Sequence, residues 1–425
     1  MIDNPRTLLL DLFRTAVAAA DPAHCVPRHL PPPPHGRTVI IGAGKAAAAM
    51  ARAVETHWDH TLSGCVITRY GHSVPCDRIQ VIEAGHPVPD AAGQDAARAV
   101  MESVRRLNAD DLVLCLISGG ASSLLSLPAP GITLAEKQMM TRQLLTAGAT
   151  IAEINCVRKH LSAIKGGRLA AACQPAQVLT LLISDVPGND PSVIGSGPTV
   201  PDPSTCADAL AILRRYQLDA PTSVMRQLES GELESPKPNT AVFKLVQNKI
   251  IATPSGSLVA AALRAKQRGV APITLGSDLE GEARDLAGAH VEQVRAHRTR
   301  SPCVLLSGGE ATVTVSGGGQ GGPNAEFLLA LAIALDGAPD VTALAADTDG
   351  IDGTQTNAGA VIGPETLALA RARGLDPMAY LERNDGYGFF AALDALLVTG
   401  PTRTNVNDFR AIYIGPHAGS HAKHE

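Results

Sequence analysis

Aromatic residues are scarce in this chain: one Trp, five Tyr and six Phe make up 3% of 425 residues. So thin a supply argues against the stacking platforms on which single-stranded nucleic acids are read. An excess of positive charge is also missing. Thirty-six Lys and Arg face 41 Asp and Glu, a net charge of −5, so no broad basic field toward nucleic acid or an anionic membrane is expected. No run reaches the roughly 18 apolar residues that a membrane span needs. The N-terminal stretch MIDNPRTLLLDLFRTAVAAADP looks hydrophobic, but Asp11 and Arg14 interrupt it. Leu8, Leu9, Leu12 and Val17 fit one helical stripe, which reads as an amphipathic helix and not a signal peptide. Eight Cys contain no CxxC pair, and Cys115 and Cys303 fall inside apolar runs. That is the pattern of buried, reduced thiols in a cytoplasmic protein.

What is present is ordinary for a soluble chain of two or three domains: 45% hydrophobic and 18% charged residues. Short apolar runs of β character lie at 38–44, 64–68, 111–118, 177–184, 271–277, 302–307 and 341–347. Helical patterns rich in Ala, Leu and Arg fall between them, at 45–57, 91–107, 134–151, 157–172 and 283–298. Continuous apolar strands separated by helices predict an α/β fold with a parallel sheet covered on both faces. The stretch 218–248 is polar and contains Pro, and it reads as the domain junction. We therefore expect an N-terminal domain over 1–235 and a C-terminal α/β domain over 236–425. PPPPHG (31–36) reads as a stiff entry to the first strand, and the tail PHAGSHAKHE (416–425) as disordered.

Four apolar runs stop in Ser/Gly/Asp loops: LCLISGGASS, LLISDVPGND, VLLSGGEAT and LAADTDGIDGT. Ligands of open α/β sheets bind at the carboxyl ends of strands, so such loops are where chemistry is expected. In VIIGAGKAAAAM, Gly42 and Gly44 allow close backbone approach before a helix N-terminus, and two readings stay open. As GxGxxA the stretch approximates a dinucleotide fingerprint, which wants an acid at the end of the next strand; Arg69 stands there, which weakens the redox reading but which an NADP-type pocket tolerates. Alternatively Lys45, placed against the helix dipole, serves a phosphate or carboxylate.

Ser118, Gly119, Gly120 and Ser122 form a nest suited to an anion, and a second nest is expected around Gly308, Gly309 and Glu310. Arg158, Ser162 and Lys165 fall at i, i+4 and i+7 on one helical face, a cationic stripe suited to phosphates. Asp185 ends its strand at the rim, where it can hold Mg²⁺ or accept a hydroxyl proton, and the long Pro/Gly loop after it carries Ser196. Asp347, Asp349 and Asp352 are hard oxygen ligands within nine residues and suggest Mg²⁺, though not in EF-hand spacing. Arg403, with Asn405, Asn407 and Asp408, adds a further polar loop. Together these features are a kit for phosphoryl transfer, which is mainly positioning and charge neutralisation.

In order along the chain, GAGKAA, LISGGASSLL, NCVRKHLSAIKGGRLA, LLISDVPGNDPSVIGSGPT, LSGGEATVTV, AADTDGIDGT and TGPTRTNVNDFR resemble the class II glycerate kinases, whose C-terminal part is called the MOFRL domain. The resemblance implies ATP-dependent phosphorylation of D-glycerate to 2-phosphoglycerate with Mg²⁺. It implies a Rossmann-like N-terminal domain and a smaller α/β domain, with the site in the cleft between them. It matches Lys45 to the family's phosphate-handling lysine and Asp185 to its strand-end aspartate. Where the family often carries Gly-Gly-Arg-Asn, this chain has GGPNAE (321–326), with Pro323 in place of the arginine and Asn324 retained. Arg158, Lys165 and Arg403 are the cations proposed to stand in for it. The expected partners are D-glycerate and a nucleotide, with no nucleic acid and no membrane; a homodimer is compatible. Family members were long called hydroxypyruvate reductases. An NAD(P)H-dependent reductase is thus the enzyme alternative, and a catalytically silent sugar-acid or nucleotide sensor is the other.

Overall fold

The computed structural model describes residues 4–416, so the stretch 417–425 of the tail read as disordered lies outside the described residues. The chain divides into two compact units: Pro22–Ile251, and the described residues on either side of it.

In Pro22–Ile251, six strands form one sheet: β1 (Thr38–Ala43), β2 (Leu62–Arg69), β3 (Gln80–Ala84), β4 (Leu112–Ile117), β5 (Gln177–Ile183) and β6 (Val246–Ala252). Their order is β3-β2-β1-β4-β5-β6. β1 pairs in parallel with β2 and β4, β2 with β3, and β4 with β5. Every residue of β1 and β4 is buried, which is why these runs are continuously apolar. The order reverses between β1 and β4, the switch point at which doubly wound sheets bind ligands. Helices Leu134–Thr146 and Ile151–His160 each begin with a capping box, Thr133 with Glu136 and Thr150 with Glu153. Met140, Leu144, Val157, Leu161, Leu210 and Leu213 join these helices in a second core beside the one that lines the sheet.

The other unit also holds a six-stranded sheet: β7 (Ala271–Glu282), β8 (Cys303–Thr312), β9 (Val341–Asp347), β10 (Gly359–Ile362), β11 (Leu396–Leu397) and β12 (Asp408–Ile414), in the order β11-β10-β9-β12-β8-β7. A parallel sheet is not what forms here. Only β7 and β8 run parallel, and β12 is antiparallel to both β8 and β9. The sequence hides this because β12 starts inside the polar run TGPTRTNVNDFR and enters the middle of the sheet from the far end of the chain. The predicted amphipathic helix is present as Pro5–Ala19, with Asn4 as its cap. Its Leu8, Leu9, Leu12 and Phe13 pack with Leu258, Ala261 and Phe409, and Arg264 Nε donates to Asp11 Oδ2 at 2.9 Å.

These placements differ from the expected division at 235/236. The first helix packs with the C-terminal part, and the stretch taken as a junction contributes β6 to the first sheet, so the units divide at Asp21/Pro22 and Ile251/Ala252.

Candidate active site

Parallel pairing sends the carboxyl ends of β1, β4 and β5 to one edge of the first sheet, and each end carries a candidate residue: Lys45, Ser118–Gly120 and Asp185. Gly44 has φ +138°, and a Cβ there would stand 2.1 Å from Ser118 Oγ; at Gly42 it would stand 2.0 Å from the Leu116 carbonyl. Both glycines therefore answer to the approach of β4. Lys45 N donates to the Gly119 carbonyl at 2.8 Å and Ala46 N to Ser118 Oγ at 2.9 Å. The amides that a dinucleotide pyrophosphate would use are thus engaged by the neighbouring loop. Lys45 precedes the helix Ala47–Thr56 and its cap Ala46, so it lies just outside the helix in whose first turn the sequence places it. Gly120 has φ +81°, and the space a side chain would need is taken by His86, at 2.9 Å, and by Lys45 Cγ, at 3.5 Å. Burial holds the Asp185 carboxyl above its ordinary value, and the nearby Lys45 charge pulls it part of the way back.

Beside this edge lies a cluster of cations and hydroxyls. Arg158 Nη1 donates to Ser122 Oγ at 3.2 Å and Asn155 Oδ1 at 3.4 Å. Ser122 and Ser196 hydroxyls lie 2.7 Å apart, and Ser196 Oγ donates to Asn155 Oδ1 at 3.3 Å. The stripe predicted on one helix is broken, since the helix ends at His160 and a new one spans Arg168–Ala172. Between them Ser162 Oγ accepts from Ile164 N and Lys165 N, and Gly166 and Gly167 take positive φ. Lys165 is fully buried and donates to the Gly195 carbonyl at 3.2 Å.

Lys137 is the residue that sequence reasoning missed. It is 5% exposed, and its Nζ has no hydrogen-bond partner among the described residues. Burial, with the charges of Arg158 and Arg168, lowers its pKa to about 7. The Lys165 ammonium is lowered well below its ordinary value by burial, with Lys137 and Arg158 adding to the effect. The signal was its spacing: Lys137, Met140 and Leu144 occupy i, i+3 and i+7 of the buried face. A cavity of about 330 Å³ opens between Lys137, Arg158, Ser122, Ser123, Gly120 and His86, with Val88, Leu134 and Leu145 as its apolar wall.

In the other unit, two polar loops meet at one end of the sheet, after β9 and before β12. Thr402 N donates to the Asp349 carbonyl at 2.9 Å, and Thr348 Oγ1 to the Asn407 carbonyl at 2.7 Å. This rim carries Asp347, Asp349 and the exposed Arg403. Asp352 is not available to a metal. It is fully buried, its Oδ1 accepts from Asn324 N at 3.0 Å and its Oδ2 from Ala325 N at 2.9 Å. It thus caps the helix Pro323–Leu335, in which Pro323 occupies the first position, where a missing N–H is harmless. Burial, with the Asp408 charge, raises the Asp352 carboxyl to about 7.

Asn324 is likewise internal, donating to Asp408 Oδ1 at 2.6 Å. The expected nest at Gly308, Gly309 and Glu310 does not form, because β8 runs on through Thr312. A Cβ at Gly309 would stand 2.2 Å from the Leu279 carbonyl of β7, so that glycine serves strand packing. Among the described residues, one group has ligand atoms converging as a metal site would need: His160, Cys206 and Glu234. Glu234 already pairs with the Lys237 ammonium, and a mixed N/S/O set is foreign to Mg²⁺. Asp347, Asp349 and Asp352 do not form such a trio.

Residues 8–229 match a family described as a domain of unknown function, DUF4147, and residues 303–408 match the MOFRL family. A protein of Agrobacterium vitis named putative hydroxypyruvate reductase is 50% identical over 97% of this chain and 95% of its own length. The D-glycerate 2-kinase of Thermotoga maritima is 40% identical over 96% of this chain and 97% of its own. The crystal structure of a glycerate kinase from Thermotoga maritima superposes with a TM-score of 0.87 at 38% identity, covering 96% of this chain and 99% of that one.

Proposed function

Because this chain belongs to the class II glycerate kinase family, with its C-terminal MOFRL region, we propose that it transfers a phosphoryl group from ATP to the 2-hydroxyl of D-glycerate. The observation that carries this reading is the likeness to a D-glycerate 2-kinase over 96% of the chain. The edge formed by β1, β4 and β5 supports it. Phosphoryl transfer asks for aligned groups and neutralised charge. Lys45 neutralises charge on the phosphoryl group in flight. Asp185, a carboxyl whose burial makes it more basic than an ordinary aspartate, accepts the proton of the attacking hydroxyl or fixes its direction. Arg158, held against Ser122 and Asn155, adds fixed positive charge beside this edge.

Mg²⁺ keeps several waters and needs only one or two protein carboxylates beside the nucleotide phosphates. Asp185 in one unit and the half-buried Asp347 in the other are each a hard oxygen donor of that kind; Asp349, buried with its Oδ1 accepting from Ile351 N, and Asp352, spent on its helix cap, are not. When bound, the ion would neutralise phosphate charge. No described helix is long and apolar enough to cross a membrane, and the cysteines are all free. Both fit a cytoplasmic enzyme, and light scattering reads whether it is a homodimer.

The reductase reading draws on the name of the Agrobacterium vitis relative. Against it stand the engaged amides of Lys45 and Ala46; the Arg69 that ends β2 in place of an acid speaks against NAD but suits the 2′-phosphate of NADP. One preparation decides. ATP, Mg²⁺ and D-glycerate are followed by phosphorus NMR, and NADH or NADPH with hydroxypyruvate by absorbance. A 2-phosphoglycerate signal with a silent nicotinamide arm is expected. Nicotinamide oxidation without phosphorylated product replaces the kinase by the reductase, and binding without turnover in either arm leaves the sensor.

A further inference from the structure

The cavity beside Gly120 has a polar end and an apolar wall, and its volume of about 330 Å³ lies in the range of small-ligand pockets. Its polar end is unbalanced. Lys137 and Arg158 both face it, the hydroxyls of Ser122 and Ser123 lie with them, and no carboxylate lines it. A buried ammonium without a partner is costly to keep. Met or Leu would pack against Met140 and Leu144 without that cost, so the cation is explained by what enters the cavity. Gly120 forms the shared wall: the cavity opens on one side of it, and His86 and Lys45 close on its α-carbon. A ligand in the cavity therefore lies next to the group that handles phosphoryl charge.

We propose that this cavity receives the carboxylate of the acid substrate, and that Lys137 is the residue that specifies an acid there. The inference rests on the kinase reading for the identity of the acid, but not for the existence of the site. Arg158 is committed to Ser122 and Asn155 and supplies fixed charge, whereas Lys137 keeps all three donors for the ligand. Among the described residues, the charges that act on Lys137 are those of Arg158 and Arg168, with Lys165 coupled to it, all from the segment that follows its helix; His86 from the loop after β3 and Arg142 from its own helix line the same cavity. With its pKa lowered to about 7, part of the free protein carries a neutral Lys137 at neutral pH. An entering carboxylate favours the charged amine, so binding takes up a proton.

The test is calorimetry of D-glycerate binding to the full-length protein at pH 7.5, in two buffers of different ionisation enthalpy. The wild type should take up a fraction of a proton per ligand, and Lys137→Met should lose that uptake and bind at least tenfold more weakly. In steady state the same variant should raise KM for D-glycerate at least tenfold and leave KM for ATP within twofold. Inorganic phosphate and ATP, titrated alone, separate a carboxylate site from a phosphate site. Tighter binding of phosphate than of D-glycerate, abolished by the substitution, would overturn the assignment, as would a raised KM for ATP with unchanged KM for D-glycerate. Lys137→Gln provides a second variant should the first fail to fold. If the wild type binds D-glycerate with proton uptake but forms no phosphorylated product, the kinase reading fails and the acid pocket stands.

Discussion

At the scale of single residues, the site is a contest between burial and charge. Burial raises the Asp185 carboxyl at the end of β5, and the Lys45 charge just past the end of β1 pulls it part of the way back. Replacing either should leave a correctly folded protein with crippled chemistry. Lys45→Ala and Asp185→Asn are each expected to lower kcat at least tenfold, about 1.4 kcal/mol of barrier, with the melting temperature of each within a few degrees of wild type. Turnover near wild type in one variant removes that residue from the mechanism. Both residues were legible in the sequence because each follows a short apolar run and opens a loop. Lys137 was not, because a lone lysine in a helical pattern reads as solvated surface until the position of Met140 and Leu144 on the same face is weighed.

At the scale of elements, the sequence showed where strands run but not what their ends touch. Gly308 and Gly309 look like a second copy of Gly119 and Gly120. The first pair lies inside β8 against β7, the second in a loop after β4, and only the neighbouring strand makes the difference. Such contacts are remote in sequence and leave no local trace. Asp352 has the same history: three aspartates in nine residues suggest a cation, yet one of them finds a helix N-terminus 28 residues upstream. Asp352→Ala leaves Asn324 N and Ala325 N without their acceptor. It is expected to cost about 1–2 kcal/mol of stability, as lost caps do, and to lower the calorimetric melting temperature by a few degrees. The Mg²⁺ concentration giving half-maximal activity should not move. A shift in that midpoint without loss of stability would return Asp352 to the metal.

At the scale of the whole molecule, the fold class follows from the strand–helix alternation, but the partition of the chain does not. Helix Pro5–Ala19 joins a unit whose other parts begin at Ala252, a contact that no local pattern encodes. The net charge of −5 likewise hides a local surplus of cations in Pro22–Ile251. That surplus has a global consequence with a definite sign. Lys137 falls from 10.5 in the unfolded chain to about 7 when folded. Below pH 7 it is charged in both states and the full penalty of burial is present. Between about 7 and 10.5 the unfolded chain binds more protons, so stability rises with pH across that window. Carboxylate binding works in the opposite direction, because it needs the charged amine, so affinity for D-glycerate should fall as pH rises above 7. Saturating D-glycerate, at 100 times its Kd, is expected to stabilise the protein by about 2.7 kcal/mol. At one fixed millimolar concentration the gain in melting temperature should be largest near pH 7 and shrink toward pH 9. In Lys137→Met both trends should flatten, the unliganded protein melting higher at pH 7 than wild type and the ligand adding little at either pH. A wild-type protein whose melting temperature falls steadily from pH 7 to 9, with a ligand-induced gain that does not change, would mean that the Lys137 ammonium is stably paired and is not waiting for an acid.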